Sequence, residues 1–369
     1  MPTGKRKKVY SGIGGQAVIE GVMMRNGERY AVSVRHPDGK IETDTQTHRK
    51  FLEGSFILKV PFLRGMFVFI DSLMVGSRAL SFSADALDEE DAKNKNASGK
   101  SSMDGVSNTV IMVIAVALAI GLFIILPAYL ASLFEKNIRN DSLVSVIEGG
   151  VRIVVFILYM LVIGLLKDMR RVYRYHGAEH KCINCIERGR TLNVENVRKS
   201  SRFHRRCGTS FMYISVFISI LIFFFIRIDY LPYRLLIRIL LIPVVLGISY
   251  EILALAGRSE NIFVYILTAP GIWFQHLTTR EPDDEMIEVA ITSVEAVFDW
   301  KKYLADNFGY DINEAGEIVG VIPEWEVEEF PTDGYDGEYE EAGYDDDAED
   351  VDYTGVIDER VSQDTDTEK

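Results

Sequence analysis

Long apolar runs dominate the middle of the chain. Residues 106–133, 143–166, 209–226 and 235–255 are each apolar over close to the roughly 20 residues a helix needs to cross a bilayer. The third is the plainest: from Phe211 to Ile226 only two serines and one tyrosine relieve it. The fourth carries Arg238 near its start and Glu251 near its end. None of the four alternates with an amphipathic period, which argues for transmembrane helices rather than buried helices of a soluble domain.

The flanking patterns are more mixed. Residues 51–84 are apolar but interrupted by Lys59, Pro61, Arg64, Asp71 and Arg78, which predicts a pair of interfacial amphipathic helices, with a fifth crossing as the alternative. Residues 85–105 read as a polar linker. Residues 261–273 are short for a crossing and meet Pro270-Gly271, so an interfacial or re-entrant segment is predicted. Upstream, two runs at 29–35 and 40–47 around Pro37-Asp38-Gly39 predict a hairpin in a small β-containing domain over 1–50. Downstream, Ile287, Ile291, Val294 and Phe298 share a face, predicting a helix over 285–304 within an extension at 279–320. The expected fold class is an α-helical polytopic membrane protein. It has about four transmembrane helices in a domain at 106–278, additional interfacial helices, a small β-containing N-terminal domain and a disordered acidic tail at 321–369.

Charge orients this arrangement. The segment between the second and third runs, 167–208, carries Lys167, Arg170, Arg171, Arg174, Lys181, Arg188, Arg190, Arg198, Lys199, Arg202, Arg205 and Arg206. The positive-inside rule places that segment in the cytoplasm, and with it both chain ends. The opposite loops are shorter and carry Lys136, Arg139, Arg227 and Arg234, so the bias is comparative. The bacterial cytoplasmic membrane is the expected location. Lys5 to Lys8 are basic, but no sustained apolar core follows, so no secretory signal is expected there. The low pI belongs to the tail. Residues 321–369 hold 20 acidic residues against Arg360 and Lys369, a formal charge of −18, while the rest of the chain is +4. Such a tail is expected to be solvated and to repel nucleic acid. Membrane lipids are the expected partners, together with a protein bound through the basic segment or the tail, or a second copy of the chain.

His176-Gly-Ala-Glu179-His180 carries the chemistry. On a helix, imidazoles four residues apart share a face, and the order H-x-x-E-H matches reversed-order zinc hydrolases. The imidazoles suit a divalent transition metal such as zinc, and Glu179 suits the catalytic role of assisting a water. Further ligands are available in His204 and Cys207, three residues apart before the third apolar run, and in Glu251 inside the fourth. Glu251 could instead satisfy Arg238 or Arg258, and the two histidines could simply border lipid headgroups. The three cysteines, Cys182, Cys185 and Cys207, all fall in the cytoplasmic segment, where free thiols or metal ligands are expected rather than a disulfide. Cys182-Ile-Asn-Cys185 lacks a matching second pair and is a weak metal or redox signal.

Several ordered segments carry a resemblance. Gly14-Gly-Gln-Ala-Val-Ile-Glu-Gly-Val-Met-Met-Arg25, Tyr175-His-Gly-Ala-Glu-His-Lys181, Phe203-His-Arg-Arg-Cys-Gly-Thr-Ser210, Gly247-Ile-Ser-Tyr-Glu-Ile-Leu253 and Thr279-Arg-Glu-Pro-Asp283 resemble signatures of the YqhQ-like family of bacterial membrane proteins. The resemblance spans roughly residues 10–300 and leaves out the tail. It implies a largely uncharacterised, metal-dependent enzyme, and it brings His176, Glu179, His180, His204, Cys207 and Glu251 into one candidate set. Three functions are open: metal-assisted hydrolysis at the cytoplasmic membrane surface, a non-enzymatic scaffold or assembly factor that binds a protein partner, and transport, for which four to six membrane segments are few in a monomer.

Overall fold

The computed structural model describes residues 8–49, 54–95, 104–135, 138, 141–226, 228, 230–256, 261–313 and 315–320. The acidic tail, Lys136, Arg139, Arg227 and Arg258 lie outside the described residues. The chain opens with an antiparallel meander: β1 (Gly14–Val18), β2 (Gly21–Asn26), β3 (Arg29–Arg35) and β4 (Ile41–Thr47), in sequential order. The predicted hairpin is the β3–β4 pair, with Arg35 opposite Ile41 and Gly39 at φ +86° in the turn. Between β1 and β2 the turn puts Glu20 at φ +51°, a left-handed conformation that non-glycine residues rarely adopt. Its carboxylate is held by both Arg171 Nε and Arg171 Nη2.

Alternation along the strands gives the sheet two buried faces. Val18, Met23, Tyr30, Val32 and Val34 point one way and pack on Val75, Ala79 and Ala86 of α1 (Leu63–Lys95). Ala17, Val22, Met24 and Ala31 point the other way, onto α5 (Lys167–Glu187) and α11 (Asp284–Val297). The N-terminal sheet is thus the middle layer of a core built from three distant parts of the sequence.

Among the described residues, three helices are long and apolar enough to cross a membrane, or four if one bent pair is a single span. They are 63–87 within α1; 113–134, running from α2 (Asp104–Ile120) through a π-helical turn into α3 (Leu126–Glu135); and 143–165 in α4 (Asp141–Leu165). The bent pair is α8 (Leu231–Leu240) and α9 (Ile242–Ala256), at 41°. About four spans is the expected number, but the set differs. Residues 51–84 do not form a helix pair: beyond a short turn at Phe56–Lys59, Pro61 precedes one uninterrupted helix that runs on into the expected linker. Proline belongs at a helix start, where its missing N–H costs nothing. The third apolar run, α7 (Gly208–Phe224), is 17 residues long.

Close helix approaches use glycine. A Cβ on Gly65 of α1 would lie 2.9 Å from Gly247 Cα of α9. The expected break at Pro270-Gly271 is absent, since α10 (Ile262–Thr278) continues through it. Gly271 lets that helix close on α7, where an added Cβ would meet Ser210 at 3.1 Å. The predicted helix over 285–304 is two helices, because Phe298 is extended (φ −138°) and Asp299 caps α12 (Trp300–Phe308). A small hairpin of β5 (Asp311–Ile312) and β6 (Ile318–Gly320) follows, in the region expected as an extension.

Candidate metal centre

The segment read as a cytoplasmic loop is largely helical. Helix α5 starts directly after α4 and carries His176, Glu179 and His180, as the four-residue spacing requires. After α6 (Val194–Arg198), residues 199–207 return along α5 and end at Cys207, the N-cap of α7. Gln275 of α10 clamps that return: its Oε1 accepts from His204 N at 2.8 Å, and its Nε2 donates to His204 O at 2.7 Å and Ser210 Oγ at 3.0 Å.

Three ligand atoms meet. One nitrogen of His176, one of His180 and the sulfur of Cys207 lie within 4.8 Å of one another. His176 Nδ1 donates to the Thr278 carbonyl at 2.9 Å, which turns Nε2 toward Cys207 Sγ at 3.0 Å. His180 Nδ1 donates to the Arg202 carbonyl at 2.6 Å. Ligating histidines characteristically donate their second N–H in this way, fixing the tautomer and leaving a lone pair for an ion. His180 Nε2 is buried with no hydrogen-bond partner among the described residues, and so is Glu179 Oε2. Two unpartnered buried atoms beside a thiol suit a cation. A nitrogen–nitrogen–sulfur set suits zinc and related divalent ions, and three protein ligands leave a fourth position open.

Electrostatics agree with this donor set. Burial opposes charge on Cys207, but His176 and His180 outweigh it and hold the thiol well below its ordinary range. Its position at the start of α7, accepting from Thr209 N at 3.4 Å, adds the field of a helix N-terminus. Burial likewise opposes protonated His176, yet Cys207 and Glu179 raise it to about 9. Glu179 is pushed up by burial, against the pull of both histidines and a hydrogen bond from Gly15 of β1.

The other expected ligands stand apart. The His204 ring centroid is 5.7 Å from that of His180, but its Nε2 faces Glu187 Oε2 at 3.5 Å. Burial, the largest cause, lowers His204 to about 3, and its Nε2 also meets Arg206 Nη2 at 3.5 Å. Glu251 is committed elsewhere: it receives Arg64 Nε at 2.7 Å, Arg64 Nη2 at 2.5 Å and Phe62 N at 3.2 Å. Cys182 and Cys185 are core residues of α5, their thiols pushed up by burial, Cys185 to about 12. The motif reading missed the carbonyls of Thr278 and Arg202, the Gly15 N–H and Gln275. The one signal within reach was the Gly14-Gly15 pair, which lets β1 come close: a Cβ on Gly15 would sit 2.9 Å from Glu179 Cγ.

Gly177, between the two histidines, has a similar duty. An added Cβ would lie 2.0 Å from the Arg280 carbonyl oxygen. Replacing helical glycine by alanine ordinarily gains about 0.5–1 kcal/mol. Here the backbone clash reverses the sign, and overpacking of this kind costs about 1–3 kcal/mol. Gly177→Ala is therefore expected to lower the unfolding temperature, and an unchanged or raised value would contradict the packing described.

Helices able to cross a membrane, joined to a buried His–His–Cys cluster under a β-sheet, define a polytopic membrane protein with a centre able to hold a metal ion. The chain belongs to the family described as a protein of unknown function, DUF1385, whose model matches residues 60–300. It is 35% identical over 296 residues to the uncharacterized protein YqhQ of Bacillus subtilis (strain 168), covering 78% of this chain and 92% of that protein. No solved structure gives a significant match.

Proposed function

We propose that the chain is a metal-dependent hydrolase of the bacterial cytoplasmic membrane, acting at the cytoplasmic surface, where the basic segment 167–208 orients it. His176 Nε2, His180 Nε2 and Cys207 Sγ hold the ion, with zinc the preferred one for a nitrogen–nitrogen–sulfur set. A bound divalent ion supplies Lewis acidity and makes water a better nucleophile near neutral pH. Glu179 Oε2, buried and without a partner among the described residues, is the group that would take a proton from an attacking water and pass it to the leaving group. The Gly15 N–H keeps its carboxylate in place. The observation that carries this reading is the pair of orphaned atoms, His180 Nε2 and Glu179 Oε2, beside the His176–Cys207 contact.

Elemental analysis of full-length protein, purified without a metal-affinity tag, tests the binding half. About one ion per chain is expected, and a joint His176→Ala/His180→Ala change should remove it. Folded wild-type protein without stoichiometric metal would overturn the reading. The hydrolytic half is tested with chromogenic esters and amides in detergent. Glu179→Gln should keep the ion and lose about 10²–10⁴-fold in turnover. Turnover that survives this change would remove Glu179 from the reaction.

A further inference from the structure

A second buried polar group lies inside the apolar segments. Glu148 and Arg152 are one turn apart on α4, and Arg238 of α8 reaches the same point; they are 5%, 2% and 2% exposed. Glu148 Oε1 accepts from Arg152 Nη2 at 3.0 Å and from Arg238 Nη1, while Oε2 accepts from Arg238 Nη2 at 2.8 Å. Arg152 Nη1 donates to Ser219 Oγ of α7 at 3.1 Å. The Phe223 ring stacks against both guanidinium groups, at 4.9 Å from Arg152 and 5.2 Å from Arg238.

One carboxylate here answers two guanidinium ions. The Nε atoms of Arg152 and Arg238 are buried and have no hydrogen-bond partner among the described residues. Charged side chains are rare within membrane helices because each costs about 2.5–3.5 kcal/mol or more near the bilayer centre. Two guanidinium ions on one carboxylate leave a net positive charge, and the unused Nε–H of each is a donor suited to an anion.

The depth suggests which anion. Helix α8 opens on Tyr230 and Tyr233, whose rings pack 5.1 Å apart and are 61% and 62% exposed. Exposed tyrosines at the end of an apolar helix mark the headgroup level of a bilayer. Arg238 follows Tyr233 by five residues, about 7.5 Å along the axis. Helical side chains lean toward the N-terminus, so its guanidinium is carried back toward that level. The guanidinium fork matches a phosphate in geometry as well as in charge. Just beyond Arg238 the helix breaks into α9, and broken membrane helices are recurrent places for ligand binding.

We propose that Arg152 and Arg238, brought together on Glu148, bind the phosphate of an anionic membrane lipid. None of these residues belongs to the His176 centre, so the outcome is independent of the hydrolysis proposed above.

Thermal unfolding of delipidated full-length protein in neutral detergent tests this. Three probes are added separately: dioleoylphosphatidylglycerol, dioleoylphosphatidylcholine and inorganic phosphate. The anionic lipid is expected to raise the unfolding temperature more than either of the others, and Arg238→Gln should lose most of that rise. Should Arg238→Gln fail to fold, Arg152→Lys keeps the charge but not the fork, and the rise should again shrink. A rise from inorganic phosphate that these changes abolish would support the phosphate chemistry and assign its source to solution. Equal rises with both lipids, or the same rise in wild type and variants, would overturn the proposal.

Discussion

Glu187→Gln is expected to cost about 3–5 kcal/mol, the loss typical of removing one partner from a buried ion pair. Glu187 is 1% exposed at the last turn of α5. Its Oε1 takes hydrogen bonds from Ser11 N at 3.0 Å, Ser11 Oγ at 2.8 Å and Arg206 Nη2, and its Oε2 stands 3.4 Å from Lys8 Nζ. Glutamine keeps the shape but supplies no charge, so Arg206 and Lys8 lose the anion between them. The N-terminal residues would then lose their main anchor to α5. Burial raises the Glu187 carboxyl, but His204, Lys8 and Arg206 outweigh burial and hold it well below the usual carboxylate range. A lowered folded value means the stability is fully present above the unfolded value of about 4.3 and is lost as pH falls through the folded one. The gap between wild type and Glu187→Gln should therefore be widest near neutral pH and shrink only below about pH 4. Thermal unfolding at pH 7 and in strong acid reads this directly; a gap that stays constant would contradict the assignment.

Cys207→Ser is expected to weaken metal binding by about 10²-fold or more, since one of three protein ligands carries a few of the roughly 10–16 kcal/mol typical of a zinc site. Serine remains protonated at neutral pH and is a poor ligand. The pH dependence should change too. With metal absent, His176 keeps its proton up to about 9, so binding an ion expels that proton. Affinity should rise about tenfold per pH unit from neutrality to about 9, then level off. The stability that protonated His176 lends the metal-free protein has the matching sign: full below about 6.5 and lost as pH rises through about 9. The thiolate is among the groups that raise His176, so Cys207→Ser should flatten this slope near neutrality. Competition titrations with a chromophoric chelator across pH measure both effects, and a slope unchanged in the variant would contradict the His176–Cys207 pairing.

Much of this centre was legible in local pattern. The spacing of His176 and His180 fixes a shared helical face whatever surrounds it. Cys207 could be read because it stands three residues after His204, just before an apolar run. Glu251 misled for a physical reason. A carboxylate inside an apolar segment needs a partner, and that partner, Arg64, is 187 residues away on a helix whose charges suggested the membrane surface. His204 was close in sequence to Cys207, but Gln275 grips its backbone and Glu187 takes its ring. The sheet shows the same limit: the run-turn-run pattern predicts β3 and β4, while nothing local pairs them with β1 and β2 or says that α1 and α11 cover opposite faces. Pro270 predicts a break that packing against α7 overrides.

X-ray absorption at the zinc edge of the metal-loaded protein tests the central claim most directly. One sulfur at about 2.3 Å and two imidazole nitrogens at about 2.0–2.1 Å are expected. The sulfur should vanish in Cys207→Ser. A first shell of oxygen alone, or a sulfur that persists in that variant, would contradict a centre built from His176, His180 and Cys207.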